Sequence, residues 1–296
     1  MMVQNLALGT ANFGGNYGIT NKTKLSREEV DEILFWASGK IPELDTSLDY
    51  TGSHAAIAKH SSKFKITTKV NLNQITSLKN IQNYVNQMST DLGTDKIERI
   101  LLRPHSSDPQ FTIEAIWELE KISSTGVINE FGLSIYDPKE LQFFAKYIEL
   151  PIVFQVPLNL FNRSFQKLQN EHEGRYKKFK FYARSIFLQG LLLMNHSDIP
   201  SQLAEAVLPL NSLKRELSRT GTSTLEATFA FIRDQGWVEG VVVGVNNLDE
   251  LKKNYEVFTA EKKVNLSFLK EFPNISTTIL DPRNWSSKGA YQSFEN

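Results

Sequence analysis

The sequence contains no cysteine. That excludes a disulfide framework, a thiolate metal centre and a cysteine nucleophile. Neither sign of charge is in excess: Lys+Arg is 33 and Asp+Glu is 33, for a formal net charge of +0. A nucleic-acid binder of this size carries a basic surplus, so no nucleic acid is expected as a partner. No stretch approaches the roughly 18 consecutive apolar residues of a membrane-spanning helix. The start, Met1-Met2-Val3-Gln4-Asn5-Leu6, has no basic segment followed by an apolar one, so no signal peptide is expected. These absences point to a cytoplasmic protein that engages no membrane. His54, His60, His172 and His196 stand at no metal-ligand spacing, so no metal is expected. No Gly-x-Gly-x-x-Gly follows a strand pattern, which removes a Rossmann-type dinucleotide site.

What is present is an alternation of short apolar runs and longer amphipathic ones. The 296 residues are 41% apolar and 22% charged, enough for a sizeable core and too apolar for disorder. Strand-like runs begin with Asn5 to Thr10 and the run ending at Leu44-Asp45, followed by Phe64 to Val70 and Ile97 to Arg103. They continue with Val127 to Leu133, Ile152 to Val156, Phe179 to Ala183 and Gly240 to Val245. Between them lie helical patterns. Ser26 with Glu29 reads as a capping box before Val30, Ile33, Leu34 and Ala37, and a second pattern runs from about Leu78 to Leu92. The segment from Asn195 to Leu225 is longer than one helix and predicts two. Eight strand–helix units in about 250 residues predict an α/β fold of the (β/α)8 TIM-barrel type rather than an open doubly wound sheet. We expect one barrel domain over 1–260. Residues 261–296, a Ser/Asn/Pro-rich stretch with Phe268, Phe272, Trp285, Tyr291 and Phe294, are expected to form a lid-like tail over or beside the barrel mouth.

A barrel of this type carries its site at the carboxyl ends of its strands. The polar residues there are Asp45 with Tyr50 in the following loop, Lys69, His105, Ser134, Gln155 and Arg184-Ser185. Strand residues alternate faces, so Phe64, Ile66 and Val70 pack outward while Lys65, Thr67 and Lys69 point into the barrel. Arg99, Leu101, Arg103 and His105 share one parity on the fourth strand. A buried ammonium at Lys69 needs a partner, and Asp45 at the neighbouring strand end supplies one. An ammonium beside Tyr50 favours the phenolate, which brings the phenol toward the operating pH as a proton donor to a carbonyl oxygen. A buried ion pair alone is weak evidence of function; Tyr50, so soon after Asp45, favours the chemical reading over a structural one.

At these residues the sequence resembles the aldo-keto reductase family, from Leu6 to about Asn254. The resemblance is carried by Leu8-Gly9-Thr10-Ala11-Asn12-Phe13-Gly14, Leu44-Asp45-Thr46-Ser47-Leu48-Asp49-Tyr50 and Lys65-Ile66-Thr67-Thr68-Lys69-Val70. It continues through His105, Gly132-Leu133-Ser134, Gln155-Val156-Pro157-Leu158-Asn159, Ala183-Arg184-Ser185, Gln189-Gly190-Leu191-Leu192 and Val243-Gly244 leading to Asn254. The order and spacing of these pieces, more than any single one, is specific. The resemblance implies a (β/α)8 barrel that reduces a small-molecule carbonyl substrate with NADPH or NADH. It implies Tyr50 as proton donor, Asp45 and Lys69 as the pair that tunes it, and His105 as the substrate-orienting residue. Ser134 and Gln155 would contact the nicotinamide carboxamide, and Arg184 would pack on its ring. Ser185, Leu188 and Gly190 would contact the pyrophosphate. Gly244, Asn246, Glu250 and Asn254 would serve the adenosine end. Thr10-Ala11-Asn12-Phe13-Gly14, Tyr17-Gly18 and Asp281-Pro282-Arg283-Asn284-Trp285 resemble bacterial members of surface-polysaccharide or nucleotide-sugar pathways.

There are departures from the family pattern. Arg103 and Pro104 precede His105, so either Arg103 or His105 takes the orienting position. Ile135 follows Ser134 where the family often has Asn, so one polar cofactor contact is absent. Gly244-Val245 and Glu250 stand where NADPH-preferring members carry basic residues, and a carboxylate repels a phosphate; no strong preference for NADPH is expected. Asn247 with Glu250 also reads simply as a capping box. Two other readings remain: a non-catalytic reductase-like subunit that binds cofactor, and an aldolase or lyase barrel using Lys69 as a Schiff base.

Overall fold

The structure, a computed structural model, describes residues 5–15, 18–19 and 24–285. Tyr17, Tyr291 and Phe294, named above, lie outside the described residues. The parallel strands are β1 (Asn5–Gly9), β2 (Glu43–Asp45), β3 (Lys65–Asn71), β4 (Ile97–Arg103), β5 (Ile128–Ser134), β6 (Val153–Pro157), β7 (Lys180–Arg184) and β8 (Gly240–Gly244). Each pairs with the next, and β8 pairs with β1 to close the barrel. The helices are α1 (Arg27–Ala37), α2 (Ser53–Ile57), α3 (Ile81–Leu92), α4 (Pro109–Ser123), α5 (Pro138–Tyr147) and α6 (Ser164–Glu171). They are followed by α7 (Val207–Ser218), α8 (Thr224–Arg233), α9 (Leu248–Thr259) and the short α10 (Thr277–Leu280).

Local chemistry sets these boundaries. Ser26 and Glu29 form the expected capping box at α1, whose Val30, Ile33, Leu34 and Ala37 are buried. Asp137 with Glu140, and Ser223 with Glu226, start α5 and α8 in the same way. At α9 the box is only half formed. Asn247 accepts from Glu250 N at 2.8 Å, but the Glu250 carboxylate turns to the amide of Asn246, one residue earlier, also at 2.8 Å. The segment expected to hold two helices differs more. Its described form is two 3-10 stretches, His196–Asp198 and Ser201–Ala206, running into the single helix α7. Pro200 has no N–H to offer a continuing helix, while Pro209 lies in the first turn of α7, where that N–H has no intrahelical partner anyway.

The barrel interior is polar at its amino-terminal end. Arg99 donates to Glu130 at 2.6 Å, to Glu43 at 3.3 Å, to Thr67 at 2.8 Å and to the Tyr182 hydroxyl at 3.0 Å. Tyr182 reaches the axis because Gly240 faces it: a Cβ on Gly240 would lie 2.5 Å from the Tyr182 ring. Burial pushes the Tyr182 hydroxyl up to about 12. This satisfied cluster closes the floor. Lys65, expected inside, sits instead at the exposed lower rim, 4.0 Å from Glu98. Beyond α9 the chain packs on the opposite, carboxyl-terminal end. Leu269, Phe272, Ile275, Ile279 and Trp285 are buried, and Phe272 stacks on Phe161 with ring centroids 5.9 Å apart. Arg163 donates to the carbonyl oxygens of Leu269 and Phe272.

Candidate active site

The loop after β2 is held from two sides. The amide and hydroxyl of Thr10 both donate to the carbonyl of Asp45, at 2.9 and 3.2 Å. Ser53 donates its hydroxyl to the Thr10 carbonyl at 2.7 Å and its amide to the Tyr50 carbonyl at 2.9 Å. The β1 loop lies directly on this turn because position 14 is glycine: a Cβ there would meet the Thr51 oxygen at 1.7 Å. Tyr50 is thereby fixed at the rim of the barrel.

Beneath it, Lys69 Nζ donates to Asp45 Oδ1 at 2.5 Å and to the Thr46 carbonyl at 3.1 Å, and lies 5.8 Å from the centroid of the Tyr50 ring. Lys69 is 2% exposed and Asp45 4%. Burial pulls Lys69 below the ordinary lysine value, Asp45 opposes that, and the nearby guanidiniums of Arg103 and Arg184 add to it. The second carboxylate oxygen of Asp45 accepts from Gln155 Nε2 at 2.6 Å, and Ser134 Oγ lies 3.5 Å from Gln155 Oε1. Four of the predicted residues thus form one hydrogen-bonded chain across β2, β3, β5 and β6.

A cavity of about 380 Å³ opens above this chain at the carboxyl end of the barrel. Among the predicted residues, Asp45, Tyr50, Lys69, Ser134, Gln155, Arg184, Ser185, Gly190, Gly244, Asn246, Glu250 and Asn254 line it. Leu188 does not. Its side chain is in the core at 1% exposure, and its backbone helps shape a loop in which Ser185, Leu188, Gln189 and Gly190 all have positive φ, from 49 to 92°. His105 also stays outside. Its Nδ1 accepts from the amides of Ser107 and Asp108, at 3.4 and 3.1 Å, and its ring packs on Phe111, so it shapes the start of α4. Arg103 lines the cavity in its stead. Ile135 is fully buried and turns away from the cavity; its carbonyl accepts from Arg184 at 3.0 Å.

Sequence reasoning passed over Tyr136 and Lys253, both of which line the cavity. Tyr136 lies between two guanidiniums, Arg184 at 4.0 Å and Arg283 at 3.7 Å from its ring centroid. Asn12 donates to the Val245 carbonyl at 3.1 Å and to Asn246 Oδ1 at 3.0 Å. This ties the β1 loop to the β8 loop.

The family model described as the aldo/keto reductase family matches residues 5–266. The chain belongs to the aldo/keto reductase family. No curated protein matches the chain. Among solved structures, the thermostable aldo-keto reductase Tm1743 is similar at 18% identity and a TM-score of 0.70, over 90% of this chain and 93% of that one. The glycerol dehydrogenase AKR11B4 from Gluconobacter oxydans is similar at 18% identity and a TM-score of 0.68, over 91% of this chain and 90% of that one. At such identity these two likenesses speak to the fold. The family match makes the chain a carbonyl oxidoreductase, and its closed eight-stranded barrel is the family's architecture.

The lining of the cavity fits the nicotinamide dinucleotide that the family generally uses. Polar groups follow one another in barrel order, from Ser134 and Gln155 through Arg184 and Ser185 to Asn246, Glu250 and Asn254. That succession suits an elongated ligand with an amide at one end and hydroxyls at the other. Asn12 Oδ1 is buried with no hydrogen-bond partner among the described residues, an acceptor that a donor on a ligand would satisfy. Among the described residues, no cluster of three or more His, Asp or Glu side chains is arranged to hold a metal ion, and no helix is long and apolar enough to cross a membrane.

Proposed function

We propose that this chain reduces an aldehyde or ketone with NADPH or NADH, and that Tyr50 is the acid that protonates the carbonyl oxygen. The observation that carries the reading is the buried Asp45–Lys69 pair directly beside Tyr50 in the cavity. When bound, the reduced nicotinamide would supply a hydride to the carbonyl carbon. Tyr50 gives its phenolic proton to the carbonyl oxygen. The ammonium of Lys69 stabilises the charge left on the phenolate, and Asp45 holds that ammonium charged and oriented. Gln155 and Ser134 hold the carboxamide, and Arg184 packs on the ring. Ser185 and Gly190 face the pyrophosphate from a loop whose shape Leu188 maintains. Gly244, Asn246, Glu250 and Asn254 serve the adenosine. A sugar derivative is the substrate class that the resemblance to polysaccharide-pathway members suggests, and the polar side chains of Arg103, Arg184, Asn246 and Asn254 in the cavity lining suit a hydroxyl-rich molecule.

The test is Tyr50→Phe. A positioned general acid contributes about 10²- to 10⁴-fold, so turnover of a reducible aldehyde should fall by at least about a hundredfold while cofactor binding, read by protein fluorescence, is retained. Full turnover in this variant refutes the assignment. A chain that binds cofactor but reduces no carbonyl even as wild type is instead the non-catalytic subunit.

A further inference from the structure

We infer that Arg184 sets which redox form of the cofactor the site holds. Its guanidinium, left without an acid and fixed in place by Tyr136, makes the chain bind the reduced nicotinamide dinucleotide more tightly than the oxidised one. The inference rests on the carbonyl-reductase reading above and deepens it. The cationic side chains that line the cavity are Lys69, Arg103, Arg184 and Lys253. Lys69 is paired with Asp45, Arg103 with Asp49 at 2.7 Å and Lys253 with Glu256 at 3.1 Å. Among the described residues, no carboxylate pairs with Arg184.

The groups that hold Arg184 are neutral. Its guanidinium donates to the Ile135 carbonyl at 3.0 Å and to the Ser185 hydroxyl at 3.3 Å, and its central carbon stands 4.0 Å from the centroid of the Tyr136 ring. Arg283 stacks on the same ring at 3.7 Å, and its own charge is taken up by Asp281 at 2.6 Å. A carbonyl and an aromatic face fix a cation in place without cancelling its charge. Tyr136 is thus the positioning residue for Arg184, which is half-buried, so water screens it only in part.

The charge lies where the nicotinamide ring must sit. Arg184 ends β7 and is in register with Pro157, two residues beyond Gln155 on β6. Side chains two apart on a strand share a face. Arg184 therefore stands one step above Tyr182 on the inward side, next to the Gln155 that holds Asp45. It is close enough to Lys69 to lower that lysine's affinity for its proton. A carbonyl oxygen within reach of the Tyr50 hydroxyl leaves its carbon to be met from the adjoining part of the cavity, which Ser134, Gln155 and Arg184 bound.

The two redox forms differ there by one charge. When the hydride passes to the carbonyl carbon with its electron pair, the ring goes from neutral to positive and the carbonyl oxygen takes the Tyr50 proton. Arg184 gains and loses none. An uncancelled cation beside the ring favours its neutral form. A unit charge a few ångströms from another changes an equilibrium constant by about fivefold in water and by several hundredfold near a protein surface. The site thus selects the reduced cofactor and lets the oxidised one leave. The same charge makes the bound hydride harder to give up.

The experiment is equilibrium binding of NADH and NAD+, and of NADPH and NADP+, to wild type and to variants at positions 184, 136 and 253. Reduced forms are read by fluorescence and oxidised forms by displacement. Wild type should bind the reduced member of each pair tighter by about tenfold or more. Arg184→Met should shrink that ratio by about tenfold, whereas loss of a residue that only shapes the loop would weaken both forms alike. Arg184→Lys keeps the charge and should keep the ratio to within about threefold. Tyr136→Phe keeps the ring and should match wild type; Tyr136→Leu removes it and should lose part of the ratio. Lys253→Met removes a cation that already has an acid and should leave the ratio unchanged. Equal binding of the two forms by wild type overturns the inference. So does a full ratio in Arg184→Met, or in Tyr136→Leu if Arg184→Met fails to fold. A Lys253→Met that lowers the ratio as far as Arg184→Met does overturns it too. A wild type that binds neither form, or full turnover in Tyr50→Phe, overturns the reductase reading itself. An inactive Tyr50→Phe with equal binding of the two forms overturns only this inference.

Discussion

The most demanding consequence of the site's geometry concerns Asp45 and Lys69. Both are almost completely buried, and Asp45 spends one oxygen on Lys69 at 2.5 Å and the other on Gln155 at 2.6 Å. Replacing Lys69 by Met leaves a buried carboxylate that retains only the Gln155 amide and no cation. Removing one partner of a buried pair costs about 3–5 kcal/mol, mainly because the remaining charge is uncompensated. Asp45→Asn leaves the converse, a buried ammonium with the Thr46 carbonyl at 3.1 Å as its remaining anchor. The penalty there is smaller, because burial already lowers the affinity of Lys69 for its proton and the side chain can become neutral. The double variant carries no buried charge at either position and should cost less than the sum of the two singles by about 2 kcal/mol or more. Urea unfolding followed by circular dichroism measures all three. Additivity to within about 0.5 kcal/mol refutes the claim that the two groups are a coupled pair. Turnover should be lost in Lys69→Met and in a well-folded double, because a Met at position 69 cannot stabilise a phenolate.

His54 offers a test of burial alone. It is 7% exposed, its Nε2 lies 3.1 Å from the Thr68 hydroxyl, and burial pulls its pKa from 6.5 to about 4. Between those values the unfolded chain binds a proton that the folded chain does not, so stability falls as pH drops from 6.5 to 4, by up to about 3 kcal/mol. His54→Gln should flatten that part of a pH–stability curve; an unchanged slope contradicts the assignment. At the adenosine end, Glu250 is fixed by the Asn246 amide at 2.8 Å and side chain at 3.3 Å, so its carboxylate cannot easily swing away from a phosphate. The ratio of Michaelis constants should therefore favour NADPH by less than about a hundredfold, and Glu250→Gln should shift it toward NADPH by roughly tenfold. An unshifted ratio removes Glu250 from the discrimination. Finally, Arg163→Met deprives the carbonyls of Leu269 and Phe272 of their donor. Limited proteolysis should then cut the chain beyond α9 faster than in wild type while the barrel remains intact; equal rates would show that apolar packing alone holds the segment.

Much of this molecule was legible in the sequence because its signals are local. Apolar runs of strand length, separated by helices with side-chain caps, leave few arrangements other than a closed parallel barrel. Asp45, Lys69, Ser134 and Gln155 were legible because each lies within a strand, where alternation decides which way a side chain points. The same rule misled at His105. Counting parity onward from Arg103 assumed that the strand continued, but β4 ends at Arg103, and Pro104 has no N–H to pair with a neighbour. Beyond that point alternation has no meaning, and the imidazole instead receives two amides at the start of α4. Tyr136 could not have been read at all. Its ring is placed by Arg184 and Arg283, two residues distant from it and from each other along the chain.

The loop after β7 shows where a family resemblance needs its residues examined one at a time. Ser185, Leu188 and Gln189 adopt left-handed conformations without the freedom of glycine. Strain of this kind costs of order 1–3 kcal/mol per residue and persists where surrounding structure over-determines it. Here the surroundings are visible. The amide of Leu188 donates to the Ser185 carbonyl at 2.9 Å, that of Gly190 to Phe187 at 3.0 Å, and the Leu188 side chain is locked in the core. With its amide already engaged and its side chain buried, Leu188 has little to offer a pyrophosphate directly. What it provides is curvature, which turns Gln189 and Gly190 toward the cavity. On the proposed reading of this loop, a substitution at Leu188 should weaken cofactor binding only as far as it relaxes the backbone that presents Gln189 and Gly190 to the cavity.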